Sequence, residues 1–364
     1  MRTTPTLATI ALVLILARPS SMIGSDLTRS DSICSDPIGS ELQRYEFSQP
    51  RMGVLFRITL YAAGEAAANE AAQAAFKRIA DLDATLTNYN AESELLRMCR
   101  SSGPGRPIAV GNDLMHVLSH AQSLSRETDG AFDVSIGPIA KLWRKARRRK
   151  ELPDSERLTL ERKRVGWQFI QLNECRRTVE LARSDMLLDL GGIAKGFAAD
   201  EALNVLKQHG IARAMVDGSG DIALGEPPPG RTAWKIGIAP LAAVGGKPSR
   251  FLLLANCAVA TSGDAFQHVE VDGTRYSHII DPKTGLGLTT SSSVTVVAPD
   301  CMSADSLASA VSVLGPKRGV RFVEQQRDKK TAVLVMTVAT GKAKLVESKT
   351  FGLIRQQRAN QPSD

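Results

Sequence analysis

The chain is 364 residues long, enough for one large domain or two ordinary ones with a substantial core. Hydrophobic residues make up 43% and charged residues 23%, the balance of a soluble globular protein. The net charge of +8 is spread out except at residues 144–150 (Arg-Lys-Ala-Arg-Arg-Arg-Lys). No aromatic residue interleaves with that run and no nucleic-acid module accompanies it, so nucleic acid is not expected as a partner. Five cysteines without a Cys-x-x-Cys pair argue against a structural zinc site and a redox dithiol, and the odd count leaves at least one thiol unpaired.

In chain order, residues 1–24 have a targeting layout: Arg2, a short apolar run over 7–17, then Ser20, Ser21 and Gly24. They read as a signal peptide or N-terminal anchor, which predicts export, with the protein periplasmic or attached to the inner membrane facing the periplasm. Residues 25–44 are polar and read as a linker. A strand pattern begins near Tyr45 and continues through Met52 to Tyr61. The Ala-rich segment 65–86 predicts a helix with a stripe of Ala72, Ala75, Phe76, Ile79 and Leu82, and a second helix is expected over 113–128. Residues 129–138 read as a turn entering an extended or irregular segment, and 144–164 as a solvated basic connection. A hairpin at 169–172 and 178–181 follows. Strands are expected at 214–216, 234–238, 250–254 and 294–297, a helix over 303–314, and a last strand near 333–338. Residues 351–364 read as a polar tail. Strands and helices interleave without regular alternation, which predicts an α+β fold in one domain over 45–350.

The most informative segment is Asp189-Leu-Gly-Gly-Ile-Ala-Lys-Gly, where an apolar approach becomes a helical pattern. Adjacent glycines there allow close passage of a ligand and leave amide N–H groups for an anion, and Asp189 and Lys195 add one charge of each sign. It is neither a Walker loop nor a dinucleotide fingerprint, and by itself it reads equally as a tight turn with a salt bridge. His278 and Asp281 stand three apart before a Pro-Lys-Thr-Gly turn; the histidine is a proton acceptor, a phosphate donor or a turn-holding group. Asp305 and Ser309 are four apart on a helical pattern and present two oxygen ligands on one face, as Mg²⁺ requires, although a capped helix start has the same residues. Gly130-Ala-Phe-Asp is a ligand-contacting loop or a turn with Phe132 in the core. Asp217-Gly-Ser-Gly-Asp221 is a phosphate approach or a tight strand connection.

Together, in this order, Gly130-Ala-Phe-Asp, Asp189-Leu-Gly-Gly-Ile-Ala-Lys-Gly, His278-Ile-Ile-Asp-Pro-Lys-Thr-Gly and Ala304-Asp-Ser-Leu-Ala-Ser resemble the signature blocks of the FAD:protein FMN transferases, the ApbE family. Met52-Gly and Tyr89-Asn-Ala-Glu-Ser-Glu-Leu resemble its upstream blocks, and the likeness spans about 45–340. The resemblance implies an enzyme with mixed and antiparallel sheets packed by helices. Such an enzyme cleaves the pyrophosphate of FAD, attaches FMN through its phosphate to a Thr or Ser of a target flavoprotein, and releases AMP with the help of Mg²⁺. It implies that Asp305, Ser309 and the carbonyl of Ala194 hold the metal. It places Met52, Tyr89, Ala131, Phe132, Asp133, Asp189, Lys195 and His278 at the FAD site and makes His278 and Asp305 the catalytic residues, with His278 as base or phosphate-stabilising group. An FAD pyrophosphatase and a non-catalytic flavin carrier are the alternatives. Ser309 stands where Thr is commoner, Cys99 near a frequent Asn, and Ser219 between two glycines that are usually adjacent.

Overall fold

The computed structural model describes residues 41–238, 241, 248, 250–263, 268–326, 328, 330–339 and 342–358. The expected signal segment and most of the linker lie outside these residues, as does Cys34. Among the described residues, no helix is long and apolar enough to cross a membrane, and Cys99, Cys175, Cys257 and Cys301 are free thiols.

The described residues open with a hairpin, β1 (Gln43–Arg51) and β2 (Val54–Ala62), where one continuous strand was expected. Met52 (φ +50°) and Gly53 (φ +75°) make the turn, and the Met52 N–H donates to Asp83 at 3.1 Å. Helix α1 (Glu65–Leu86) has the expected bounds and buries the expected stripe. The short α2 (Glu94–Ser101), capped by Ser93, leads through β3 (Ile108–Ala109) to α3 (Asn112–Glu127). A 3-10 turn then starts α4 (Gly137–Arg149), with Pro138 in its first turn, where a missing N–H costs nothing. The basic stretch is therefore solvated, as expected, but it is helical rather than a plain connection. It forms the C-terminal half of α4, followed by α5 (Ser155–Arg162), and it was misread because its buried Trp143 and Ala146 are outnumbered by cations. The hairpin β4 (Ile170–Asn173) and β5 (Thr178–Leu181) precedes α6 (Ala194–Gln208).

The second half is mostly strand. It runs β6 (Ala214–Asp217), β7 (Asp221–Leu224), β8 (Trp234–Ile238), β9 (Arg250–Leu254), β10 (Cys257–Gly263), β11 (His268–Val271), β12 (Thr274–Ser277) and β13 (Ser292–Ala298). Helix α7 (Cys301–Gln325) has two segments. Gly315 (φ +75°, ψ 172°) is not helical, so the first helical segment ends there as expected, and a second segment starting at Pro316 continues to Gln325. Then come β14 (Ala332–Ala339), β15 (Lys342–Glu347), α8 (Lys349–Leu353) and β16 (Gln356–Arg358). Residues 351–358 are thus not a polar tail: Phe351 is fully buried and β16 pairs with β9.

One antiparallel sheet in the order β1-β2-β6-β7-β10-β13-β14-β15 forms the frame. Side chains alternate across it with period two. Val294, Val296, Val333 and Val335 join α1, α6 and α7 in the main core. Val297, Leu334 and Val259 face the other way, onto the small sheet β16-β9-β8 and Phe351. Every residue of β13 is buried, as a central strand covered on both faces must be. The α+β expectation with antiparallel sheets packed by helices is met.

Candidate functional site

The octet at 189–196 runs from coil into the first turn of α6, and that turn lies directly against α7. A Cβ on Gly196 would sit 2.2 Å from the Cys301 carbonyl oxygen and 2.9 Å from Asp305 Cβ. One on Gly192 would sit 2.9 Å from Ser309 Oγ and 3.5 Å from the Phe132 ring. The glycines therefore serve contact between helices as well as room for a ligand. Most amides of the turn are already engaged. Gly191 donates to Asp189 Oδ1 at 2.9 Å, and Ile193 and Ala194 donate to the Leu190 carbonyl at 3.1 and 2.9 Å. The expected row of amides facing an anion is accordingly narrower than the sequence suggests.

Charge concentrates one turn deeper. Lys195 Nζ lies 2.7 Å from Asp221 Oδ2 and 3.4 Å from Asp305 Oδ2, and Gly196 N–H donates to the same Asp305 oxygen at 3.1 Å. Both carboxylates are buried, at 4% exposure each. Burial and the charge of Asp305 push the Asp221 carboxyl above its ordinary range, while Lys195 pulls it back. Burial disfavours the Lys195 ammonium, but the two carboxylates outweigh it and hold the lysine protonated well above its ordinary range. Two carboxylates share one ammonium, so the site carries excess negative charge beside the Ser309 hydroxyl. The Asp305 carboxylate and Ser309 hydroxyl are oxygen donors of the kind that suits a hard divalent cation.

Asp221 comes from the Gly-rich segment, which is the tight strand connection between β6 and β7. Ser219 (φ +66°) and Gly220 (φ +104°) turn the chain, Asp217 accepts the Gly220 N–H at 2.8 Å, and Thr261 N–H donates to the Gly220 carbonyl at 3.1 Å. The register Arg57↔Asp217 puts this turn at the same end of the sheet as the β1–β2 turn with Met52.

Tyr89 and Asp189 meet through a residue outside the expected set. The Arg144 guanidinium lies 4.6 Å from the centroid of the Tyr89 ring and 2.5 Å from Asp189 Oδ2. Tyr89 itself is 79% exposed, so this face of the ring pair borders solvent. Ala131 and Phe132 are buried, with Phe132 facing Gly192. The Asp133 carboxylate works inside the protein. One oxygen accepts from Ser135 N–H (2.8 Å) and Oγ (2.7 Å), the other from Trp167 N–H (2.9 Å), and burial pushes its pKa up. The side chain holds the loop in place.

His278 is half-buried just after β12, on a turn built by Asp281. Asp281 Oδ1 accepts the Lys283 N–H at 2.9 Å and its carbonyl accepts the Gly285 N–H at 2.8 Å. The turn is anchored from α4 and α5. Trp143 Nε1 donates to the Gly285 carbonyl at 2.8 Å, Arg162 donates to the Lys283 carbonyl, and Lys283 pairs with Asp129 of the Gly130 loop. Trp143 also packs on Tyr276 with ring centroids 5.5 Å apart. The misread basic segment thus supports the His278 block.

Asp305 and Ser309 are fixed by a double cap on α7. Asp300 accepts the Ser303 N–H at 2.7 Å, and Asp200 of α6 accepts the N–H groups of Cys301 and Met302, both at 2.8 Å. Arg144, Asp200 and the pairing of Asp221 with Lys195 were missed because each depends on a partner 26 or more residues away. The sole local hints were the two aspartates closing the Gly-Ser-Gly turn.

The family model described as the ApbE family matches residues 52–335. The FAD:protein FMN transferase of Treponema pallidum is 31% identical over 300 residues, covering 79% of this chain and 83% of that protein. Its namesake in Haemophilus influenzae is 33% identical over 252 residues, covering 67% and 72%. The solved flavin transferase ApbE from Vibrio cholerae superposes with a TM-score of 0.76 at 27% identity over 86% of this chain and 100% of that one. The ApbE protein of Thermotoga maritima gives 0.76 at 26% identity over 85% and 99%. The family model covers most of the chain and the relatives exceed 30% identity over two thirds of it or more, so the chain belongs to the ApbE family.

Proposed function

We propose that this chain is an FAD:protein FMN transferase whose reaction centre is the contact of the α6 start with α7. The observation that carries this reading is the buried pair Asp221 and Asp305 sharing Lys195 beside Ser309. FAD is the substrate. The oxygen of an acceptor Thr or Ser attacks the FMN phosphorus, the pyrophosphate P–O bond breaks, and AMP leaves with the electron pair. Asp305, Ser309 and the Ala194 carbonyl are the residues that would hold Mg²⁺, which when bound neutralises charge on the phosphates. Lys195 adds a fixed positive charge and is itself oriented by Asp221. Tyr89 and Phe132 supply aromatic faces for a ring of FAD, Met52, Ala131 and the Asp133 backbone complete its site, and Asp189 holds the Gly191 turn. His278 takes the hydroxyl proton or steadies the transferred phosphate. The apolar run at 7–17 supports an exported protein that meets its target flavoprotein in the periplasm or at the membrane surface.

The test incubates purified protein with FAD, Mg²⁺ and a candidate target carrying an acceptor Thr, and reads in-gel flavin fluorescence and AMP. A fluorescent adduct with stoichiometric AMP is expected, and its loss in Asp305→Asn, which keeps the side-chain volume, ties the reaction to this site. AMP without adduct from every target tried assigns a pyrophosphatase instead. Tight FAD binding with neither product would leave a flavin carrier and sink both enzymatic readings.

A further inference from the structure

Helix α4 carries Lys141, Arg144, Lys145, Arg147, Arg148 and Arg149 within thirteen residues, with no carboxylate, and Lys150 caps it. Cations near a helix C-terminus complement its dipole, but the effect fades beyond the last turn, and this set extends back more than two turns to Lys141. Lys141, Lys145, Arg148, Arg149 and Lys150 are exposed. The stripe begins at the reaction centre: Arg144 binds Asp189, two residues before Gly191, and stacks on the exposed Tyr89. Arg148 lies one turn further along the same face, about 6 Å away along the axis. A transferase that modifies proteins needs a surface beside its site for the segment bearing the hydroxyl, and arginine and tyrosine are both enriched at binding hot spots.

Resting on the transferase reading, we propose that the cationic face of α4 is the docking surface for an acidic segment of the acceptor protein, next to its acceptor hydroxyl. An acidic peptide fits better than an anionic membrane. The apolar residues Ile139, Trp143 and Ala146 of α4 are buried in the protein, so the helix has no apolar face to insert into a bilayer. A lipid surface would be held by charge alone, whereas an acidic peptide can lay its carboxylates along the cations that follow Arg144, beside Tyr89 and Asp189.

The experiment uses a labelled peptide with one Thr flanked by Asp and Glu, and a counterpart flanked by Asn and Gln, with binding read by fluorescence anisotropy. Three proteins are compared: wild type, R148E/R149E, and R176E as an exposed arginine on the β4–β5 turn. FAD binding is titrated on each. Wild type and R176E should hold the acidic peptide about tenfold or more tighter than the neutral one at low salt, with the gap closing as salt rises. R148E/R149E should lose the preference and keep its FAD affinity. Equal binding of the two peptides overturns the proposal. So does an equal loss in R176E, displacement of FAD by the peptide, or capture by phosphatidylglycerol vesicles without a peptide preference. Peptide binding as expected in a protein that does not bind FAD would defeat the flavin reading and leave the acidic-segment surface standing.

Discussion

Lys195 is held by Asp221 and Asp305 in a site where both carboxylates are buried, so each member of the trio is costly to remove. Breaking a buried pair typically costs about 3–5 kcal/mol because the surviving charge is left uncompensated. Ala194 differs, since only its backbone is assigned to the metal. Ala194→Gly should keep most of the Mg²⁺ affinity, while Asp305→Ala should lose more than the roughly 10–100-fold typical of an outer-shell change. Calorimetric titration of Mg²⁺ into both variants decides this, and equal losses would remove the carbonyl from the ligand set. Gly196 is constrained by space alone. Gly196→Ala forces a Cβ into the Cys301 carbonyl and should destabilise the fold by about 1–3 kcal/mol or more in urea unfolding.

Among the elements, α7 matters most for the site, and its start is governed by a carboxyl on another helix. Asp200 is buried, and burial together with Asp300 and Glu201 pushes its pKa up to about 7 against the two N–H groups it accepts. Between an unfolded value of about 3.9 and that folded value, the native chain binds more protons than the unfolded one. The stability contributed by this proton is present at low pH and is lost as pH rises through that window. Asp200→Asn cannot titrate, so the stability difference between wild type and variant should move against the wild type by up to about 1.4 kcal/mol per pH unit. Denaturant unfolding of both proteins at pH 5 and pH 7 measures it, and a pH-independent difference would contradict the assignment.

At the scale of the whole molecule, the large sheet is covered by helices on one face and by β16-β9-β8 with α8 on the other. The second layer depends on the C-terminal segment. Phe351→Ala should cost about 3–5 kcal/mol, the range for truncating a buried aromatic. Truncation after residue 350 should cost at least as much, because it also removes β16 from β9. A thermal melt unchanged by either alteration would show that the second layer is dispensable.

What the sequence determined by itself was whatever depends on near neighbours. The 65–86 helix was legible because its apolar stripe repeats with the helical period, and β8 and β9 because short apolar runs ended at turn residues. Asp305 and Ser309 were legible as a face because four residues make about one turn. The family blocks were legible because each is a contiguous string. Tertiary structure decided the rest. It showed that Asp221 completes the Lys195 site, that Asp200 caps α7, and that Arg144 joins Tyr89 to Asp189. It also turned the basic run at 144–150 into a helix seated beneath the His278 turn by one tryptophan. Each of these is a contact between elements distant in the chain. Local periodicity carries no record of such a partner, whereas burial makes the partner obligatory: a charge or polar group removed from water must find its counterpart in the fold.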